Sequence, residues 1–389
     1  MSSPQVPLGE ICQFIGGGTP SKKVTRYFGG SIPWATVKDF KGFRVSETAE
    51  SITEQAVSDS ATNIVDAGTV LLVTRVGLGK VAIADRRLAI NQDIKGLTPN
   101  SRVLPEYLFW FLVFKAPEIE RMGVGATVKG VTLQDLRAIK IPVPLLDDQR
   151  RIVDLLSRAE GIVRLRREAQ QKAAELIPAI FIDMFGDPAS NPDTWPRHPL
   201  SAMAEVISGV AKGRKLEPAE AVELPYMRVA NVKDGYLDLT EVKTIEIKRS
   251  EVEKLLIRPG DLLMTEGGDP DKLGRAALWT GELEACVHQN HVFKVRSDDA
   301  RLSPAYLRAL AGSPYGKAYF LSVAKKTTGI ASINKTQLSA FPVPLPPLPL
   351  QRTFERRVMA VESILSQQVD AAEKAKASFQ SLLSSAFGT

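Results

Sequence analysis

The chain nearly repeats itself, and this internal duplication constrains its fold more than any other feature. Short motifs of the first half return in the same order in the second half, at an offset that drifts from 192 to about 202 residues. An ordered internal repeat identifies repeated structural units, so the chain is predicted to contain two copies of one unit. The matched motifs are Pro7-Leu8 with Pro199-Leu200, FIGGG (14–18) with VISGV (206–210), IPWATVKD (32–39) with LPYMRVANVKD (224–234), AGTVLLVT (67–74) with PGDLLMT (259–265), Gln92 with Gln289, LPEYL (104–108) with SPAYL (303–307), PVP (142–144) with PVP (342–344), and Gln149-Arg150 with Gln351-Arg352.

Each unit is predicted to consist of a mixed module followed by a long helix. Glycine and proline recur at short spacing within the modules, and brief apolar runs predict strands over 69–74, 81–84 and 276–279. Proline opens two predicted short helices, at 105–115 and 304–312. The modules are therefore predicted to be α+β with long loops. The predicted segments are module 1 (1–144), a first helix (145–186), module 2 (187–344) and a second helix (345–389).

Both long helices follow proline-rich segments and carry a heptad-like apolar seam. This seam is narrow enough for one partner helix. We expect the two helices to pack antiparallel in a pseudo-twofold arrangement, because duplicated units resemble the two halves of a symmetric dimer. About 36 helical residues form a rod of roughly 54 Å that spaces the modules. The alternative is that the helices join two separate chains. The predicted seam residues are Ile152, Leu155, Leu156, Ala159, Val163, Ala169, Ala173, Leu176 and Ile180, and Phe354, Val358, Val361, Leu365, Ala372, Phe379, Leu382 and Ala386.

Composition limits the class of protein without naming a partner. The 389 residues are 44% hydrophobic and 24% charged, which is typical of globular domains and excludes wholesale disorder. The longest apolar run, 107–114, is too short to cross a bilayer, and the first residues lack the regions of a signal peptide, so a cytoplasmic protein without membrane contact is expected. The net charge is only +6, of which +4 lies in residues 1–144. Any nucleic-acid partner must therefore be met by local basic clusters.

The search for catalytic motifs finds none. GVGATVKGVT (123–132) lacks the Lys-Ser/Thr of a phosphate-binding loop, and no Asp/Asn-Pro-Pro-aromatic motif of an amino-methyltransferase occurs. His288 and His291 are the best metal candidates, but three-residue spacing is a weak signal, and the matching residues of the first unit are taken to be Asn91 and Ile94. Ordinary polar residues of a strand or loop are the better interpretation of both histidines. No catalytic, cofactor-binding or metal-binding residue is predicted.

Basic and polar loops remain as candidate binding sites. Lys, Arg, Ser and Thr on loops are suited to phosphate contacts, whereas Arg, Asn and Gln in fixed positions read bases. A solvated surface is the better interpretation of any single residue, but it weakens where matching loops of both units are basic. The candidate DNA-binding residues are Lys22, Lys23, Arg26, Arg75, Lys80, Thr127, Lys129, Lys212, Arg214, Lys215, Lys325, Lys326, Thr327, Asn334 and Lys335.

Taken together, four segments resemble the specificity (S) subunit of type I restriction-modification systems. The resemblance covers almost the whole chain, in the order target recognition domain, helical region, target recognition domain, helical region. Module 2 reads SGVAKGRK without the TPS of module 1, so no role passes from Thr19, Pro20 or Ser21 to it. The segments are GGGTPSKKVTRYFGGSIPW (16–34), GATVKGVTLQDLRAIKIPVPLLDDQRRI (125–152), AIFIDMFGDP (179–188) and KKTTGIASINKTQLSAFPVPLPPLPLQ (325–351).

The resemblance implies a non-catalytic subunit that reads a bipartite, asymmetric target in double-stranded DNA. The paired helices would fix the gap between half-sites and dock DNA methyltransferase (M) subunits and, through them, restriction/translocase (R) subunits. S-adenosylmethionine, ATP and magnesium would belong to those partners. The alternative from a different class is a two-module scaffold that binds other proteins, with basic loops that only solubilise it. A free-standing nuclease or methyltransferase is opposed by the missing motifs.

Overall fold

The computed structural model of the chain describes residues 3–125, 129–190, 195–327 and 329–388. Its contacts divide the chain into two units. Unit 1 is discontinuous and combines residues 1–167 with residues 370–389, whereas unit 2 is the continuous segment 168–369. Each unit therefore contains one module, the beginning of one long helix and the end of the other.

Among its described residues, unit 1 contains eleven strands and four short or medium helices, and α5 begins in it. The strands are β1 (Gln5–Pro7), β2 (Cys12–Gly16), β3 (Phe28–Ala35), β4 (Arg44–Val45), β5 (Glu50–Ile52), β6 (Asn63–Val65), β7 (Val70–Val73), β8 (Val81–Ala84), β9 (Leu88–Ile90), β10 (Ile94–Pro99) and β11 (Lys140–Pro142). The helices are α1 (Leu8–Ile11), α2 (Glu54–Ser58), α3 (Pro105–Met122), α4 (Leu133–Ala138) and α5 (Leu146–Phe185).

Unit 2 begins within α5, and the part of it that the structure describes repeats this order with twelve strands. The strands are β12 (Arg197–Pro199), β13 (Ala204–Ser208), β14 (Ala221–Met227), β15 (Lys243–Lys248), β16 (Leu262–Thr265), β17 (Gly267–Gly268), β18 (Ala276–Leu278), β19 (Val287–His288), β20 (Val292–Ser297), β21 (Lys325–Thr327), β22 (Ile330–Ser332) and β23 (Pro342–Pro344). The helices are α6 (Val252–Leu255), α7 (Pro304–Gly312), α8 (Pro314–Val323), α9 (Lys335–Ser339) and α10 (Leu348–Phe387), and α10 ends in unit 1.

The two modules share a sheet topology. In module 1 the main sheet has the order β2-β10-β7-β8-β4, and in module 2 the corresponding sheet has the order β13-β20-β16-β18. A second sheet contains a parallel pair in both modules, β3 with β9 and β14 with β19. A short ribbon, β1-β11 or β12-β23, closes each module beside the start of a long helix. The α+β class and the duplication predicted from the sequence are confirmed.

A buried glutamine fastens each module to the long helix that follows it. The Gln149 side chain accepts a hydrogen bond from the Leu104 N–H (2.9 Å) and donates to the carbonyls of Arg102 (2.8 Å) and Pro144 (3.0 Å). Gln351 makes the same three contacts in module 2, with Ser303, Arg301 and Pro346. Both side chains are fully buried, so these bonds satisfy amide groups that water cannot reach.

Aromatic side chains fasten each module to the end of the other long helix. Near the end of α10, Phe387 packs against Tyr107 of module 1 with ring centroids 5.3 Å apart. Near the end of α5, Phe185 packs against Tyr306 of module 2 at 4.9 Å. In unit 2 Phe185 also contacts Phe354, which lies near the start of α10. The end of one long helix therefore lies beside the start of the other, as expected for antiparallel helices.

The long helices follow the predicted segments closely, but two predicted seam residues of α5 are wrong. Leu155 and Leu176 are 50% and 46% exposed, whereas their neighbours Leu156 and Ile177 belong to the hydrophobic cores of units 1 and 2. Adjacent apolar residues lie about 100° apart on a helix, so only one of each pair faces the seam. Periodicity alone does not choose between them.

We predict that the phenylalanine at the end of each long helix, Phe185 of α5 or Phe387 of α10, stabilises only the unit in which it lies. Phe387→Ala should weaken unit 1, and Phe185→Ala should weaken unit 2, each by about 3–5 kcal/mol, because truncating a buried phenylalanine leaves a cavity. Hydrogen exchange would measure this as lost amide protection confined to the affected unit. Met359→Ala, at a residue of α10 that is 63% exposed, serves as the control. Equal loss of protection in both units for either phenylalanine variant would contradict the assignment.

Candidate nucleic-acid interface

Glycines without room for a side chain open the first basic loop of each module. A Cβ atom at Gly17 would lie 2.0 Å from the Asn91 carbonyl oxygen, and one at Gly209 would lie 2.1 Å from the His288 carbonyl oxygen. The chain can pass these points only as glycine. The glycine-rich motif therefore serves close backbone packing, and the residues that follow it form the exposed loops.

The loop after Gly17 presents its predicted cations to solvent. Lys22, Lys23 and Arg26 are all exposed between β2 and β3. The next residue, Tyr27, is buried and donates a hydrogen bond to the Asp59 carboxylate (3.0 Å), which fixes the loop beside α2. Neither lysine has an ion-pair partner among the residues that the structure describes. Both ammonium groups are free to contact phosphate.

The matching loop of module 2 differs because one of its cations is already paired. Lys212, Arg214 and Lys215 are exposed between β13 and β14. Arg214 donates two hydrogen bonds to the Glu251 carboxylate, at 2.8 and 3.1 Å. These hydrogen bonds from Arg214 lower the pKa of Glu251 below its ordinary value. Arg214 is therefore engaged within the protein, and Lys212 and Lys215 carry the unpaired charge of this loop.

A second group of candidates surrounds the turn between β7 and β8. Arg75 and Lys80 flank this turn and are exposed. Gly130 lies beside Arg75, since a Cβ atom at Gly130 would be 3.6 Å from the Arg75 Cγ atom. Its neighbour Lys129 is exposed as well, and Thr127 lies outside the described residues. The fold thus brings Arg75 close to Gly130, the residue next to Lys129, although the two are more than fifty residues apart.

The last candidates lie on a hairpin and a helix of module 2. Lys325, Lys326 and Thr327 form β21, whose three side chains are all exposed. Asn334, in contrast, caps α9: its side chain accepts from the Gln337 N–H (2.9 Å), and its own N–H donates to the Gln337 side chain (2.8 Å). Asn334 therefore has a structural partner, and Lys335 is an exposed cation beside it.

The two histidines occupy different environments, and neither belongs to a metal-binding group. Among the described residues, no cluster of three His, Cys, Asp or Glu side chains could hold a metal ion. His288 is fully buried, with Nδ1 2.7 Å from the Val292 carbonyl oxygen. His291 is half-exposed, and its Nδ1 lies 2.6 Å from the Glu266 carboxylate.

The sequence alignment of the repeats is wrong by one residue around these histidines. The parallel strand pairs place Ile90 opposite Ala35 and His288 opposite Met227, so His288 corresponds to Ile90 and not to Asn91. The hydrogen bonds from Thr74 N to Asp93 O (2.8 Å) and from Glu266 N to His291 O (2.9 Å) likewise match His291 with Asp93. Gln92 therefore does not match Gln289, and Ile94 does not match His291.

Sequence reasoning missed the carboxylates that organise these surfaces. Asp93 lies 3.8 Å from Arg75, Glu251 pairs with Arg214, and Glu266 pairs with His291. The sequence pattern that marked these loops was a cluster of basic residues, and none of the acidic partners lies close in sequence to its cation. Correct alignment would have matched Asp93 with His291. Each of these residues belongs to a charged or polar pair, Arg75 with Asp93 in module 1 and His291 with Glu266 in module 2.

Comparison with known proteins finds a domain match and several similar proteins. Residues 4–175 match the sequence family described as the type I restriction modification DNA specificity domain. The chain is 26% identical over 301 residues to the type I restriction enzyme MjaIX specificity subunit of Methanocaldococcus jannaschii, covering 72% of this chain and 70% of that protein. It is 34% identical over 176 residues to the EcoR124I/EcoR124II specificity subunit of Escherichia coli, covering 43% of this chain and 44% of that protein.

Solved structures extend the likeness of fold to the whole chain. The S subunit of a type I restriction-modification system from M. genitalium covers 100% of this chain with 96% of its own length, at a TM-score of 0.58 and 13% identity. A chain from a structural study of complex assembly and conformational transition in the type I restriction-modification system covers 99% with 97% of its own length, at a TM-score of 0.62 and 20% identity. The sequence match thus shows a type I restriction modification DNA specificity domain over residues 4–175, and the likeness over the whole chain is one of fold. Within the described ranges, no helix is both long enough and apolar enough to span a membrane.

We predict that His288 makes module 2 sensitive to acid. Burial lowers the pKa of His288 to about 4, below its ordinary value of 6.5, so the unfolded chain takes up the proton first as pH falls. Stability should be unaffected by this group above pH 6.5 and should fall by about 2 kcal/mol between pH 7 and pH 5.

Replacing His288 by isoleucine, the residue at the matching position of module 1, should remove this pH dependence. Urea unfolding of the wild-type chain and of His288→Ile, followed at pH 7 and pH 5, measures the difference. The control is His198→Ile, which changes a half-exposed histidine of the same module. A wild-type chain that loses no more stability between pH 7 and pH 5 than His288→Ile would contradict the prediction.

Proposed function

We propose that the chain is a sequence-specific DNA-binding subunit that reads a bipartite, asymmetric target in double-stranded DNA. Its match to the DNA specificity domain covers module 1, and module 2 repeats the backbone contacts of module 1 under different surface loops. Two modules with the same backbone fold and different surface loops are suited to bind two DNA half-sites of different sequence. The repeated module is the observation that carries this proposal.

The basic side chains support phosphate contact by both modules. The lysines at 22, 23, 80 and 129 in module 1, and at 212, 215, 325, 326 and 335 in module 2, are exposed. None of them forms an ion pair within the described part of the chain. Lysines of this kind position a protein on DNA, whereas sequence is read at base edges. Unpaired local cations also reconcile DNA binding with a net charge of only +6.

The long helices support a second role, the docking of methyltransferase (M) subunits and, with them, restriction/translocase (R) subunits. In unit 1, Leu155, Ile162 and Leu165 of α5 are 50%, 52% and 57% exposed. Their spacing of seven and three residues places them on one face of the helix. Exposed apolar side chains along one face are typical of protein interaction surfaces.

The chemistry of the complex would then reside in those partners. The chain itself would be non-catalytic and would hold no cofactor, while S-adenosylmethionine, ATP and magnesium would bind to the methyltransferase and restriction subunits. This division of roles rests on the sequence, which lacks a phosphate-binding loop and an amino-methyltransferase motif.

We predict that paired and unpaired cations of one loop contribute differently to DNA binding. Lys212→Ala should reduce the slope of log affinity against log salt by about 1, because one phosphate contact and its released counterion are lost. The double variant Arg214→Ala/Glu251→Ala removes an ion pair and should leave the slope unchanged. Fluorescence anisotropy with a duplex that contains the target, at several salt concentrations and with the methyltransferase subunits present, measures both.

The wild-type complex provides the test of the function itself. Methylome sequencing of cells that carry the chain with its methyltransferase should show one bipartite motif with two different half-sites. A single continuous motif, or no binding to duplex DNA at low salt with or without partner subunits, would favour a scaffold that binds only proteins.

A further inference from the structure

The two modules place a braced polar pair at the same point of their folds. In module 1 the pair follows β7, where the Thr74 N–H donates to the Asp93 carbonyl, and in module 2 it follows β16, where the Glu266 N–H donates to the His291 carbonyl. Asp93 and His291 are thus equivalent backbone positions. The side chains around them differ in chemistry, although the backbone frame is the same.

In each pair an exposed nitrogen-bearing side chain rests on a less exposed carboxylate. Arg75 is 45% exposed over Asp93, which is 17% exposed, with 3.8 Å between the Arg75 Nε and the carboxylate. His291 is 55% exposed over Glu266, which is 29% exposed, with 2.6 Å between Nδ1 and the carboxylate. A carboxylate only accepts hydrogen bonds, so it holds the His291 Nδ1–H and directs Nε2 away from itself, where Nε2 lies 3.4 Å from the Asn290 side-chain amide nitrogen. Glu266 therefore fixes the orientation of His291, and Asp93 attracts the Arg75 guanidinium through an ion pair.

Arg75 combines an ion pair at one side of its guanidinium with terminal nitrogens that are available. Nε lies 3.8 Å from the Asp93 carboxylate, and within the described ranges Nη1 and Nη2 have no hydrogen-bond partner. Arg214, in contrast, has both terminal nitrogens on Glu251. A guanidinium that is ion-paired near Nε and open at its two ends matches the O6 and N7 acceptors of guanine in the major groove.

The residues around the Arg75–Asp93 pair are better suited to contact the edge of a DNA base than to bind an acidic protein surface. Beside Arg75, Val76 and Val124 are 60% and 80% exposed, and small apolar groups of this kind contact thymine methyls. Lys129, exposed on the same segment as Val124, is placed to contact phosphate. In module 2 the hairpin with the exposed strand β21 lies in the same relation, because the Ile333 N–H donates to the Glu266 carbonyl (2.8 Å), as the Val131 N–H donates to the Thr74 carbonyl (3.0 Å) in module 1.

We propose that Arg75, braced by Asp93, reads a guanine in one half-site, and that His291, braced by Glu266, reads a base edge in the other half-site. This inference rests on the proposed function and adds to it the residues that set the specificity of each module. Asp93 and Glu266 act as positioning residues. Since the two outer side chains differ, the half-sites differ at the base that these equivalent positions read.

The test uses the complex with its methyltransferase subunits and compares motifs by methylome sequencing. Arg75→Ala should make one guanine of one half-site degenerate and leave the other half-site intact, and His291→Ala should relax only the other half-site. Arg75→Lys keeps the charge but loses the fork, and it should relax the same guanine as Arg75→Ala. Asp93→Asn should relax that guanine partially. Arg87→Ala, at an exposed arginine between β8 and β9, is the control and should change neither half-site.

Binding measurements keep the test decisive if a variant is too weak to methylate DNA in cells. The wild-type complex should bind its target with an affinity about tenfold or more higher than its affinity for a duplex in which that guanine is replaced. The Arg75→Lys variant should lose this preference while it retains binding to DNA. If the wild-type complex shows a bipartite motif but Arg75→Ala and Arg75→Lys keep both half-sites, the inference fails and the proposed function stands. If the wild-type complex binds no duplex and methylates no motif, the proposed function fails.

Discussion

A buried amide at the start of each long helix holds the rest of the architecture in place. Gln149 and Gln351 each join three backbone groups: two from the turn before a short helix and one from the proline-rich segment before a long helix. Loss of either side chain would leave buried polar groups unsatisfied, at a cost of about 1–3 kcal/mol for each group. These bonds connect the turn before α3 or α7 to the start of α5 or α10, so one amide links each module to its long helix.

The two units illustrate how one backbone frame can carry two different sets of surface side chains. Hydrogen bonds between β-strand ends are the same in both modules, including the bond to the residue at Asp93 or His291. Side chains at those positions nevertheless bear opposite roles: Asp93 supports a cation, whereas His291 is itself supported by Glu266. Backbone bonds place no demand on side-chain chemistry, so recognition can diverge without loss of fold. The matching basic loops also differ in their side chains. Arg214 pairs with Glu251 in module 2, whereas Lys22 and Lys23 of module 1 have no ion-pair partner among the described residues.

Much of the architecture could be predicted because its signals are local or repeated. Strand β8 and helix α7 have the predicted bounds, and the long helices fill the predicted segments. Helix α3 was predicted to end at Lys115 but continues through Pro117 to Met122, with Ile119 buried in the core. The register around His288 failed because a buried histidine stands where module 1 has isoleucine, and similarity of residue type pointed to Asn91. The carboxylate partners of Arg75, Arg214 and His291 depend on tertiary contacts that no local pattern encodes.

The discontinuity of unit 1 reverses the order in which the chain can fold during synthesis. Unit 2 is one uninterrupted segment, complete once residue 369 has been made, whereas unit 1 requires residues 370–387 of α10, including Phe379, Leu383 and Phe387 in its core. Domains generally fold as units while they emerge from the ribosome. Module 1 is translated before module 2, yet its Tyr107 and Phe111, which are fully buried in the folded chain, pack against Phe387, which is translated only after unit 2. The second unit can therefore be native while the first is still open, and chaperone binding or proteolysis of nascent chains would act mainly on module 1.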